Sequence, residues 1–136
     1  MMQTRLGLGV TLETSFNEAL EKVTEALKAE GFGVLTEIDV KETMKKKLGE
    51  DYAPFKILGA CNPQIAHKAL TIAPEISLLL PCNVVVRQEA QGRTAVSIVD
   101  PLEMMNFVGR AELSDVAQEA RARLERVAAS LQANNG

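Results

Sequence analysis

The chain has 136 residues, 46% of them hydrophobic and 24% charged, and carries a net charge of −3. That length and balance fit a single domain, residues 1–136, that buries a core without covalent staples; they exclude a disordered chain. The acidic balance, with no Trp and 4% aromatics, also excludes the basic, base-stacking surface that nucleic-acid binding requires.

Leu6, Leu8, Val10 and Leu12 alternate with small or polar residues, the period of a half-buried strand. Ser15-Phe16-Asn17-Glu18 reads as a capping box, in which the Ser hydroxyl and the Glu carboxylate satisfy free N–H groups at a helix start. Phe16, Ala19, Leu20, Val23 and Leu27 follow at helical spacing, and Gly31 can take the left-handed conformation that closes a helix. Gly33 to Ile38 reads as a second strand. A second capping box, Asp39 to Glu42, opens a short helix with the stripe Val40, Met44 and Leu48, ended by Gly49. Its Lys45-Lys46-Lys47 run has two readings: a phosphate site, or cations facing the negative end of the helix dipole. The acidic total favours the second.

Phe55 to Ala60 is the third predicted strand. Asn62 is a good N-cap, and Pro63 sits at the first helical position, where proline is preferred. Ile65, Ala66, Ala69, Leu70 and Ala73 form the stripe of that helix, which Pro74 stops. Val84-Val85-Val86 follows Cys82 as a strongly β-prone run; Gln91-Gly92 makes a turn and Thr94 to Val99 returns as the other arm of a hairpin. Asp100-Pro101-Leu102-Glu103 caps a short helical turn. Leu113, Val116, Ala117, Ala120, Leu124, Val127, Ala128 and Leu131 mark a long amphipathic C-terminal helix. The order β-α-β-α-β-α-β-β-α predicts an α+β domain: a mixed β-sheet of about five strands with helices mainly on one face. Exposed Val and Leu on the other face favour a homodimer.

The two cysteines make no disulfide framework, which points to a reducing compartment. The opening Met1 to Val10 lacks the uninterrupted apolar core of a signal peptide. The longest apolar stretch, Ile76 to Val86, is broken by Ser77, Pro81 and Asn83 and is too short to span a bilayer. The expectation is a soluble cytoplasmic protein with no membrane partner.

The segments Lys56-Ile57-Leu58-Gly59-Ala60-Cys61-Asn62-Pro63 and Leu80-Pro81-Cys82-Asn83-Val84-Val85-Val86 resemble the bacterial and archaeal family called domain of unknown function 302. Gly31-Phe32-Gly33-Val34-Leu35-Thr36-Glu37-Ile38-Asp39-Val40-Lys41 fits the same family, as do Asp100-Pro101 and the pair Met104-Met105. The resemblance covers nearly the whole chain. It implies a small α/β fold that tends to dimerise, and it carries over no catalytic residue, because the family has no established activity.

Cys61 falls at a strand end just before a helix N-cap, where partial positive charge and unpaired N–H donors favour a thiolate. Cys82 is its candidate resolving partner or a second ligand. The competing reading makes both cysteines small buried hydrophobes, whose thiol pKa burial raises. If the helix between them joins parallel strands, its length of ~15 Å holds the two sulfurs apart. His67, the only histidine, shares a helix face with Lys68 and Thr71, away from the apolar stripe, so no metal site is expected. Asp39 and Asp100 both follow strands and can place carboxylates near one rim of the sheet, although each has a sufficient role as a helix cap. Met104, Met105 and Phe107 can line an apolar pocket or pack in a core. No nucleotide-binding loop, nucleophile elbow or HExxH motif occurs.

The reading that joins these features is a homodimeric module binding a small ligand or anion at the Cys61-Asn62-Pro63 junction, with Cys61, Asn62, Cys82 and Asn83 as ligand-binding candidates. The alternatives are a protein-interaction domain without a small-molecule site, and a thiol-dependent enzyme or redox protein using Cys61 with Cys82. Whether the chain is an enzyme stays open, and the sequence names no cofactor.

Overall fold

A computed structural model describes residues 1–135. In chain order the elements are β1 (Met2–Gln3), β2 (Gly7–Leu12), α1 (Phe16–Ala29), β3 (Gly33–Asp39), α2 (Val40–Leu48), β4 (Phe55–Cys61), α3 (Pro63–Ile72), β5 (Cys82–Ala90), β6 (Arg93–Val99), α4 (Pro101–Val108) and α5 (Ser114–Ala133). Short 3-10 turns at Pro74–Leu79 and Ala111–Leu113 precede β5 and α5.

The predicted caps form. Ser15 Oγ accepts from Glu18 N at 3.2 Å, Asp39 Oδ1 from Glu42 N at 2.9 Å, Asn62 Oδ1 from Ile65 N at 3.2 Å and Asp100 Oδ1 from Leu102 N at 2.9 Å. The first capping box is only half made: the Glu18 carboxylate accepts from the Thr14 hydroxyl at 2.6 Å rather than from the backbone of Ser15. Gly49 and Gly109 end α2 and α4 with positive φ, 70° and 75°, a conformation nearly free for glycine and strained for other residues.

The class is α+β, as the pattern of elements implies, but the sheet differs in two respects. It has six strands, because Met2–Gln3 adds a short edge strand with too little sequence to carry a period. It is also not mixed: its order is β1-β2-β6-β5-β4-β3, and every neighbouring pair is antiparallel. The segments that read as parallel crossovers return the chain to its starting end. After α3, the turn Pro74–Leu79 and the extended Leu80-Pro81 lead back to the end of β4, so that Cys82 pairs with Ala60.

Alternation along the strands divides the sheet cleanly. Leu8, Val10, Leu12, Leu58, Val84, Val86, Val96 and Ile98 point to one face and are nearly inaccessible; Ala19, Val23, Leu27, Leu124, Val127, Ala128 and Leu131 of α1 and α5 cover them. The other face carries a cross-strand row, Ile38, Ile57, Val85, Ser97 and Gly9, on the side opposite α1 and α5. Ile38 there is 51% exposed. A second, smaller core joins Ile65, Ala69, Ala73 and Ile76 to Leu113 of the turn before α5 and to Val116 and Ala120 of its first half. Helix α5 thus serves two cores, one at each end.

Candidate functional site

Cys61 ends β4 and Cys82 begins β5, and the register Ala60↔Cys82 sets the two cysteines on adjacent strands, offset by one residue. The parallel crossover expected between the two cysteines is overturned, because α3 is an excursion between antiparallel neighbours; Cys82 pairs with the residue before Cys61, so strand alternation turns the two side chains toward opposite faces. Both thiols are free and half-buried.

Both residues contribute to the lining of one cavity of about 360 Å³, within the range of small-molecule sites. It opens between the ends of β4 and β5 and the helices α3, α4 and α5. Phe32, Ile65, Leu80, Met104, Met105 and Val116 supply much of its wall, with Ala66, Ala69, Ala117 and Ala120 where α3 and α5 face each other. Alanine at these positions leaves unfilled the volume that leucine or valine occupies in the sheet core. Among the described residues, Asn62 and Ser77 are the only amide- or hydroxyl-bearing side chains in the wall, and no ionisable group other than the two thiols lines it.

The start of α3 offers fewer free donors than a bare helix terminus. Pro63 has no N–H, Ile65 N donates to Asn62 Oδ1, and Ala66 N donates to Asn62 O at 2.9 Å. Gln64 alone keeps a first-turn N–H without a protein partner among the described residues. Asn62 is itself fully engaged, since its Nδ2 donates to Glu30 O at 3.3 Å and ties α3 to the end of α1. It is 8% exposed. Gly31 makes that tie possible, because a Cβ there would lie 2.8 Å from Asn62 Nδ2.

Burial pushes the Cys82 thiol up to about 11, with the nearby Cys61 adding to the rise, so Cys82 stays protonated at neutral pH. The structure brings Cys61, Asn62 and Cys82 to one cavity but not Asn83, which pairs with Gly59 on the opposite face and is exposed. Cross-strand alternation is the signal that separates it from its neighbour Cys82. The pocket reading of Met104 and Met105 finds them in the wall, whereas Phe107 is 86% exposed and lies outside it. The alanines and Phe32 carry no chemical signature in the sequence and become recognisable only once α3 and α5 are packed.

Asp39 and Asp100 do not share a rim. Strands β3 and β6 run in opposite directions, so their C-terminal ends lie at opposite edges of the sheet. Asp100 is 1% exposed and forms an ion pair at 3.1 Å with Arg121 of α5. His67 is exposed, and no group of three or more His, Cys, Asp or Glu side chains that could hold a metal occurs among the described residues. No helix among them is long and apolar enough to cross a membrane.

The sequence profile of the family described as Domain of unknown function DUF302 matches residues 8–131. The fold is similar to the crystal structure of an uncharacterized conserved DUF302 protein from Bacillus stearothermophilus, with 32% sequence identity and a TM-score of 0.85. That alignment covers 94% of this chain and 99% of the other. No curated protein matches the chain.

Proposed function

The chain belongs to the DUF302 family, and on that premise we propose that it is a non-catalytic binding module for a small, mainly apolar molecule. The ligand lies in the cavity beside Cys61, Asn62 and Cys82. The single observation that carries this reading is the cavity itself: about 360 Å³, walled by aliphatic, aromatic and sulfur-bearing side chains. A site with this lining gains affinity from apolar burial and orientation from a few polar atoms. The wall turns the expected ligand from a free anion toward an apolar molecule. An anion would meet no cationic side chain, and most first-turn amides of α3 are already bonded. A ligand with one polar group fits better, its tail among Ile65, Leu80 and Met105 and its polar end toward Gln64 N or Ser77.

A thiol enzyme is the less favoured reading, because a Cys82 thiol pushed up to about 11 makes a poor leaving group and a poor nucleophile at neutral pH. A reducing compartment such as the cytoplasm keeps both thiols free. The sheet face opposite α1 and α5 supports self-association into a homodimer: the exposed Ile38 lies there in register with the half-buried Ile57 and Val85. Light scattering that gives a monomer mass at micromolar concentration removes the dimer and leaves the ligand reading intact.

A thermal-shift screen of medium-chain acids and alcohols, aromatic alcohols and terpenoids tests the ligand reading directly. Stabilisation by one of these classes, lost in Ala66→Phe, is the expected result. No shift from any apolar class, with inorganic anions stabilising instead, contradicts it.

A further inference from the structure

We infer that the cavity takes a neutral aromatic molecule of one or two rings that carries one hydrogen-bond donor, a phenol- or indole-type compound. The inference rests on the binding-module reading and narrows its ligand class. Sulfur is concentrated at this cavity. Two of the five methionines, Met104 and Met105, line it, whereas the buried cluster of the sheet core contains no methionine among the described residues. Both are half-buried on α4, and Met105 also packs against the second core, which anchors the pair at the wall. A thioether attracts an aromatic ring from about 5 Å, and its three rotatable bonds let the sulfur follow the ring. Each sulfur acts on the ring by itself, so the two need not converge on one point. Phe32, 4% exposed in the same wall, adds a rigid aromatic partner for edge-to-face or offset contact.

Charge, hydrogen bonding and size narrow the class further. Among the described residues the wall offers no cation to a carboxylate and no carboxylate to an amine, which selects a neutral molecule. Its two polar side chains are not equivalent. Asn62 is spent, because its Oδ1 accepts from Ile65 N and its Nδ2 donates to Glu30 O. Ser77 is exposed and its hydroxyl donates to Pro74 O at 2.8 Å, which leaves the oxygen's lone pairs for an incoming donor. A ligand that places its rings inside and one O–H or N–H at Ser77 uses both. A cavity of about 150 Å³ already holds a benzene ring. At about 360 Å³, this one has room for two fused rings.

The test compares matched rings by calorimetry on the full reduced chain: 2-naphthol against decahydro-2-naphthol, and 2-naphthol against 2-methoxynaphthalene. Burial of apolar area alone ranks the saturated ring at least level with the aromatic one. The expected result is the reverse, with 2-naphthol binding at least ~3-fold tighter than the saturated alcohol, since each sulfur–ring contact contributes a factor of about 2 to 10. That preference is expected to shrink toward unity in Met104→Leu/Met105→Leu, which keeps the apolar volume. The methoxy compound, which has no donor for Ser77, is expected to bind at least ~3-fold more weakly than 2-naphthol. A wild-type measurement needs no variant to fold: in the chain labelled with 13C at the methionine methyls, 2-naphthol is expected to move the Met104 and Met105 signals upfield by ring current and to leave Met44 of α2 in place. A saturated alcohol that binds as tightly as 2-naphthol overturns the inference and leaves the apolar-cavity reading standing, as does a methoxy compound that matches it or a pair of methyl signals that stay put. If no ring compound binds at all, the inference and the binding-module reading fall together.

Discussion

The two halves of α5 pack against very different surroundings. Leu124, Val127, Ala128 and Leu131 close onto the sheet among large aliphatic partners, and each is at most 2% exposed. One or two turns earlier, Val116, Ala117 and Ala120 face α3, where alanines meet alanines and a cavity remains. The same helix therefore contributes stability at one end and spare volume at the other. Dense packing in the first region lets the second be left unfilled, because a domain needs only one well-sealed core to hold its fold.

Truncation should break or uphold this contrast most strongly. Leu124→Ala, in the sealed half, is expected to cost ~3–5 kcal/mol in urea unfolding, whereas Ile65→Ala, at the cavity wall, is expected to cost ~2 kcal/mol or less, because one side of its side chain already borders the cavity. Equal losses would mean that the two cores are one. Next in size is Asp100→Ala. It removes a buried partner of Arg121 as well as the α4 cap, with an expected loss of ~2–4 kcal/mol, against ~1 kcal/mol for the exposed cap variant Asp39→Ala. A like loss from both would show that the α4–α5 ion pair contributes nothing. The cavity-filling variant Ala66→Phe is expected to change stability by less than ~1 kcal/mol, since room exists for the ring, while it abolishes ligand-induced stabilisation.

The smallest effect concerns pH. The Cys82 thiol is raised from 9.0 to about 11 in the folded chain, so the native state holds this proton more firmly than the unfolded state does. The associated stability is complete below pH 9 and is lost as the pH climbs toward 11. Iodoacetamide modification of Cys82, followed by mass spectrometry in Cys61→Ser, should likewise stay slow until the pH approaches about 11. Rapid modification at neutral pH would place Cys82 in a polar, activating environment and reopen the thiol-enzyme reading.

The sealed half was largely legible in the sequence, because its residues repeat at periods of two and of three to four, and the helix starts along the chain carry Ser15, Asp39, Asn62 and Asp100. The direction of the strands was not. A strand, a ten-residue helix and another strand fit a parallel crossover as well as an excursion. The deciding segment, Pro74 to Pro81, is an irregular return path without a period. The candidate site was legible at its chemically distinctive members, Cys61, Asn62, Cys82 and the methionine pair. Asn83 was misplaced because neighbouring strand residues point to opposite faces. The cavity itself had no local signal: alanine in a helical stripe reads as close packing, and only the distance between α3 and α5 decides whether it means contact or room.

The most direct test of the binding-module account is a two-dimensional amide NMR titration of the reduced, metal-free chain with a neutral apolar probe such as indole. The account predicts saturable shifts confined to the residues around the cavity, Ala60 to Ala69, Leu80 to Cys82 and Met104 to Met105, and their disappearance in Ala66→Phe. Shifts that fall instead on Ile38, Ile57 and Val85, or none that saturate, would contradict it.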